Sequence, residues 1–312
     1  MRAAKTPSLA ALGLLFWGSV ADAQDFGYID SNGLPAAGPV APFFSQPSTH
    51  ALAGGQFASA LRSSVLFEPI SGSQPSPDLE GTDTSVVSCL WLQEILVGVG
   101  LGAGIDVTLA LPIHLVQSGQ GLTGPGVGGR LEPFAFGDVR FGLGVGFELG
   151  AWALRPFGTV YLPTGQEQDF AGERLPRGDV GFALSRDHQA WTFSGSLAGR
   201  IRETSEISNL RWTSQIVLAL AARYAWTPKF DTNLELSLAP TLASQPEPTS
   251  GSSGYPFPAE ALLGLHYRTE PVILGLFGGT GLPFSLEPGT GALVRGPTSP
   301  TLRVGAEIGA TF

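Results

Sequence analysis

The sequence predicts an all-β fold: a transmembrane, antiparallel, up-and-down β-barrel of about 12 strands. Three observations predict it. Hydrophobic alternation with a period of two recurs from residue 57 to residue 312. Short and long connections alternate strictly between the alternating segments. The chain is apolar and glycine-rich, with only 14% charged residues, yet past its leader it holds no run of the roughly 18 apolar residues that reads as a spanning helix. A closed barrel is the other architecture that satisfies every backbone polar group inside lipid.

Residues 1–23 read as a signal peptide. Arg2 and Lys5 supply a positive start, residues 9–20 a short apolar run, and Ala21-Asp22-Ala23 a small-residue cleavage site before Gln24. Export to a Gram-negative outer membrane after cleavage near Ala23 is the expected itinerary. Residues 24–56 do not alternate, and Pro35, Pro39, Pro42 and Pro47 break any helix or strand there. They are expected to be a periplasmic extension or a plug in the lumen. Residues 57–312 are the expected barrel.

Charge and cysteine content exclude some functions. Losing Arg2, Lys5 and Asp22 with the leader takes the net charge from −9 to −10, which argues against a nucleic-acid partner. Cys89 is the single cysteine and cannot form an internal disulfide; a free, buried thiol is expected.

The strands follow in order. Residues 57–68 open the barrel, with Phe57, Leu61, Val65 and Phe67 on one face. Residues 85–101 and 106–116 come next. The cleanest segment is 139–149, where Val139, Phe141, Leu143, Val145, Phe147 and Leu149 oppose Asp138, Arg140, three glycines and Glu148. Then come 151–162, 179–186, 190–202, 213–226, 230–239, 259–268, 272–279 and 302–312. The polar faces are rich in glycine and charge, as in a crowded aqueous lumen. The apolar faces carry edge aromatics such as Tyr224 and Trp226, as in an interfacial girdle.

Short connections are expected at 102–104, 150, 187–189, 227–229 and 269–271, and long ones at 69–84, 117–135, 163–178, 203–211, 242–258 and 283–301. Short periplasmic turns and long extracellular loops put both termini in the periplasm. The last strand alternates Val304, Ala306, Ile308 and Ala310 with Arg303, Gly305, Glu307 and Gly309, and stops on Phe312. A terminal amphipathic strand ending in phenylalanine resembles the signal read by the outer-membrane assembly machinery.

From residue 105 onward the chain carries Leu111-Pro112 with Gln117-Ser118-Gly119, then Gly137-Asp138-Val139-Arg140, then Leu162-Pro163-Thr164-Gly165, then Glu260-Ala261-Leu262-Leu263-Gly264 with Tyr267-Arg268. In order and spacing these stretches resemble the N-terminal barrel of some OmpA-family outer-membrane proteins. The resemblance implies location and fold, with an envelope-structural or channel role. No peptidoglycan-binding domain follows the barrel in this sequence, so tethering to the cell wall does not carry over.

Candidate chemistry is sparse. Gly119-Gln120-Gly121-Leu122-Thr123-Gly124 fits a dinucleotide fingerprint, but that fingerprint must open a helix, and Pro125 with Gly126, Gly128 and Gly129 excludes one. Ser185, Asp187 and His188 invite a hydrolase reading, yet they crowd a short turn instead of converging. The histidines lack metal-ligand spacing, so neither metal nor cofactor is expected.

The inward charges are the candidate site: Arg62, Asp106, Asp138, Arg140, Glu148, Arg155, Arg200, Arg202, Arg223, Asp231, Glu235, Glu260, Arg268, Arg303 and Glu307. They would form either a salt-bridge network that fills the lumen or a charged constriction that selects solutes. The expected function is a narrow porin-like channel or an envelope-structural barrel; a barrel enzyme acting on outer-membrane lipid is the alternative. The expected partners are outer-membrane lipid and lipopolysaccharide, the assembly machinery, and small solutes or ions.

Overall fold

The structure is a computed structural model that describes residues 31–32, 37–74, 82–121, 123–124, 127–128, 131–207, 210–242, 257–286, 293–294 and 298–312. The predicted signal peptide lies outside the described residues. Twelve antiparallel strands, each paired with the next in sequence, form the barrel. They are β1 (Phe57–Gln74), β2 (Thr82–Gly102), β3 (Ile105–Ser118), β4 (Val139–Val145, resumed at Phe147–Leu149), β5 (Trp152–Leu162), β6 (Arg177–His188), β7 (Trp191–Ile201), β8 (Gln215–Thr227), β9 (Phe230–Leu238), β10 (Ala259–Thr269), β11 (Val272–Gly281) and β12 (Leu302–Thr311).

β12 pairs with β1 from Ala58↔Thr311 to Phe67↔Leu302, which closes the sheet and leaves no free edge. At this seam Phe57 and Phe312 exchange main-chain hydrogen bonds of 3.0 and 2.8 Å.

Period two decides which residues face out. On β8, Ile216, Leu220 and Trp226 are exposed while Gln215, Val217 and Ala219 are buried. Exposed leucines, isoleucines and phenylalanines recur on the same outer face of every strand, among them Leu276, which is 59% exposed. So wide an apolar band suits hydrocarbon and would be a liability in water. At the short-turn end it is edged by exposed Trp152, Trp191, Trp226, Phe230 and Tyr267. Cys89 departs from expectation: its thiol is half-buried, because it shares the outer face with exposed Trp91.

β1 and β2 run further than the sequence predicts, since Pro69, which reads as the start of a loop, is accommodated within the strand. Glu68 adopts a positive φ of 47°, and the register shifts between Phe67 and Ile70. The bulge absorbs the residue that cannot donate to the ladder, and pairing resumes beyond it. On this upper part of the hairpin the inner face is apolar. Leu66, Ile70, Val86, Val87, Leu90 and Leu92 form one buried cluster with Leu131, Phe170 and Trp212, which come from three different long loops. The long-loop end of the barrel is thus capped from within by apolar side chains.

Candidate functional site

The leading segment runs inside the barrel. At the long-loop end, the Ser31 amide bonds the Phe170 carbonyl at 3.0 Å, and Asn32 bridges Glu94 (3.4 Å) and Arg303 (3.1 Å). At mid-height, the Phe44 and Ser45 amides each donate to Glu235 at 2.8 Å. Lower down, Thr49 bonds Ser185 at 2.7 Å and the Leu52 amide donates to Asp106 at 3.0 Å. The segment therefore descends from the long loops to the short turns and enters β1 there. The strand ends at Phe57 and Phe312 meet at the short-turn side as expected, whereas Ser31 lies at the opposite end.

Phe44 is the main anchor. Its ring stacks on His266 with centroids 4.4 Å apart and meets Phe277 at 4.5 Å. Two glycines on adjacent strands make room for it. A Cβ on Gly264 would lie 2.4 Å from the ring, and one on Gly275 2.8 Å from it. Any side chain at either position would push the ring out of its slot.

Around the segment the inward charges are mostly paired. Arg62 on β1 binds Glu307 on β12 at 2.6 Å and Glu94 on β2 at 3.8 Å, and donates to the Phe44 carbonyl at 2.9 Å. Arg140 on β4 also pairs with Glu94. Arg303 holds Glu260 with two hydrogen bonds, at 2.7 and 3.2 Å. Nearer the long loops, Arg200 grips Asp179 through two bonds of 2.9 Å, Tyr161 donates to the same carboxylate at 3.0 Å, and Glu173 lies between Arg177 and Arg202. Nearer the short turns, Arg155 pairs with Asp106, and Asp231 takes both Arg268 and His266. Such planar two-point pairing is where arginine outperforms lysine. Glu94, Glu173, Arg177 and Asp179 belong to this network but were absent from the residues expected there. Glu173 lies in what the sequence marks as a loop, and Glu94 on a strand whose alternation is poor.

Two expected residues sit elsewhere. Asp138 precedes β4 and pins a loop, accepting the Gly165 and Glu173 amides at 2.9 Å each. Thr164 in turn accepts the Val139 amide at 2.9 Å, so the two stretches Gly137–Arg140 and Leu162–Gly165 form one anchoring unit. Glu148 is the second. Its register partner Ala153 is buried, which puts Glu148 on the inner side, but it is exposed at the short-turn rim instead of lining the lumen. The ladder is interrupted just above it at Gly146, whose amide bonds Gly104 instead.

The remaining chemistry disperses. Ser185 is buried inside, with Thr49 as its partner, while Asp187 accepts a bond from Thr192 at 2.6 Å. His188 pairs in register with outward Trp191, on the face opposite Ser185. No hydrolytic triad can form from residues so divided. In the Gly119–Gly124 stretch, Thr123–Gly124 pairs with Val127–Gly128 as a small hairpin. His114 is held by Gln117 at 3.1 Å and His266 by Asp231, each within its own part of the wall.

A cavity of about 410 Å³ remains beside the leading segment. It extends from Tyr161 and Asp179 in the long-loop half, past Thr108, Thr159 and Phe157, to Arg155, Arg223 and Arg268 near the short turns. Its other wall is the segment itself, chiefly residues 38–42 and 47–52.

A closed 12-strand barrel with an apolar outer band and a charged interior defines the class: an outer-membrane-type β-barrel. Among solved structures, an outer membrane channel from Pseudomonas putida F1 is similar in fold, with a TM-score of 0.63, 13% identity, and coverage of 86% of this chain and 100% of that one. The KdgM porin aligns less well, with a TM-score of 0.45, 7% identity, and coverage of 82% of this chain and 99% of that one. No protein-family model matches the chain, and no curated protein matches it in sequence, so the OmpA-family resemblance has no family-level support.

Proposed function

We propose that this chain is a narrow outer-membrane channel in which small solutes or ions pass beside the leading segment. The cavity beside that segment, lined by β3–β6 with Arg223 of β8 and Arg268 of β10, carries the reading, since neither the ion pairs nor the segment fill it. Phe44 sets the width of the path by seating the segment against β10 and β11. The test is conductance of the full chain in planar bilayers. Phe44→Ala should raise the single-channel current, because the segment loses its ring anchor while the barrel closure at β1–β12 is untouched. No current from either form would overturn the channel reading.

An envelope-structural barrel is the second reading, favoured by the extent of buried ion pairing and by the apolar cap; the OmpA-family likeness agrees with it. In either case export would follow cleavage near Ala23, the outer band would contact lipid and lipopolysaccharide, and Phe312 would serve as the assembly signal. The division of Ser185 from His188 weighs against an enzyme.

A further inference from the structure

We propose that Arg223, with Arg268 beside it, forms a binding station for a small oxyanion, a carboxylate or phosphate, at the short-turn end of the cavity. This rests on the channel reading for its biological meaning, but not for its chemistry. Among the described charged residues lining the cavity, all but one have an opposite charge. Asp106 has Arg155, Asp179 has Arg200, and Arg268 has Asp231. Arg223 has none among the described residues. Its Nη2 donates to the Thr192 hydroxyl at 3.1 Å, and its Nε is buried without a hydrogen-bond partner.

A guanidinium on a low-dielectric wall, short of a counterion, is costly unless an anion from solution supplies one. The position is built, not accidental. Arg223 sits in register between Thr192 of β7 and Asn233 of β9, and both neighbours are buried. Thr192 spends its own proton on Asp187, at 2.6 Å, so its oxygen is free to accept from Arg223 and fix the fork. Arg268 lines the same cavity as Arg223. Its side chain is 27% exposed, which lets solvent ions reach the pair. The Asp231 carboxylate is taken up by Arg268 and His266, so Arg223 adds a surplus positive charge at this end of the cavity, carried on a planar fork of N–H donors. That geometry favours a flat or tetrahedral oxyanion over chloride. The cavity of about 410 Å³ holds such an ion with its water but not a long polymer.

The test uses the full chain in detergent and in planar bilayers, with inorganic phosphate and acetate as probes and chloride as the reference. Both probes should raise the temperature at which the barrel loses its compact gel mobility, and both should reduce chloride current. Arg223→Gln should weaken these effects roughly tenfold, as expected for the loss of a charged hydrogen-bond donor. Arg223→Lys keeps the charge without the fork, and should show an intermediate loss even where the glutamine variant folds poorly. Undiminished phosphate and acetate effects in both variants would overturn the station. A wild type that conducts but ignores both probes would also overturn it, leaving the channel reading in place. A wild type that carries no current, yet is stabilised by phosphate through Arg223, would keep the station and remove the channel.

Discussion

Glu235 receives Ser45 twice, through the main-chain amide at 2.8 Å and through the hydroxyl. With the Phe44 amide on its other oxygen, this one carboxylate, 1% exposed, ties the leading segment to β9. Glu235→Ala would leave two buried amides unsatisfied, at a cost of about 1–3 kcal/mol each. The expected outcome is a lower unfolding temperature in detergent and faster proteolysis within residues 37–56 than in the wild type. Unchanged proteolysis would show that the Phe44 ring and the remaining hydrogen bonds seat the segment without Glu235.

Closure at β1–β12 predicts that the protein migrates as a compact species in unheated detergent and shifts on boiling, since a sheet without edges must break as a unit. Its far-UV spectrum should be dominated by β-structure. Gel mobility that boiling leaves unchanged would contradict the closed sheet.

Arg303 should matter for stability and not for ion preference. Its guanidinium is bound at two points to Glu260 and to Asn32, and it does not line the cavity. Arg303→Ala would strand the Glu260 carboxylate, at a cost of about 3–5 kcal/mol. Chemical denaturation should register that loss while the reversal potential of surviving channels stays put. A shift in reversal potential without lost stability would place Arg303 on the conducting path.

Protease applied to intact cells should cut at Arg174 and spare Arg177. Both lie at the long-loop end, but Arg174 is exposed while Arg177 is buried in β6 against Glu173. A tag at residues 227–229, in a short turn, should stay hidden from surface antibodies; labelling there would invert the orientation.

Much of the wall was legible because lipid outside and charge inside impose one rule on every residue. Phe141 and Arg140, or Ile308 and Glu307, could be assigned by parity alone. Parity fails where the inside is apolar as well. Leu66, Ile70, Val87, Leu90 and Leu92 face a cluster supplied by distant loops, so their strands read as untidy and Pro69 looked like an end. The partners of each arginine were not legible either. Arg303 pairs with Glu260, two strands away across β11, and not with Glu307, four residues along its own strand. Pair choice depends on reach across the lumen, which local spacing does not encode. The path of residues 37–56 was hidden for a related reason: its partners, from Arg62 to Glu235, are spread around the barrel, and no local pattern announces them.

Deleting Phe312 should lower the amount inserted in the outer membrane, as measured by heat-modifiable protein in membrane fractions. The residue is 69% exposed, and its main chain completes the seam with Phe57. Replacing it with tyrosine should restore insertion if an aromatic end is what the assembly machinery reads. Undiminished insertion after the deletion would remove Phe312 as the signal.

The interior path of the leading segment also constrains the order of events during assembly. Residues 37–56 join β1 directly, and β1 is the strand on which β12 closes. Once that seam has zipped, the ion pairs and the apolar cap leave little room for a proline-studded chain to be drawn in. The segment must therefore already lie within the curling sheet when the last strand arrives, so the barrel is wrapped around the stretch that leads into its first strand.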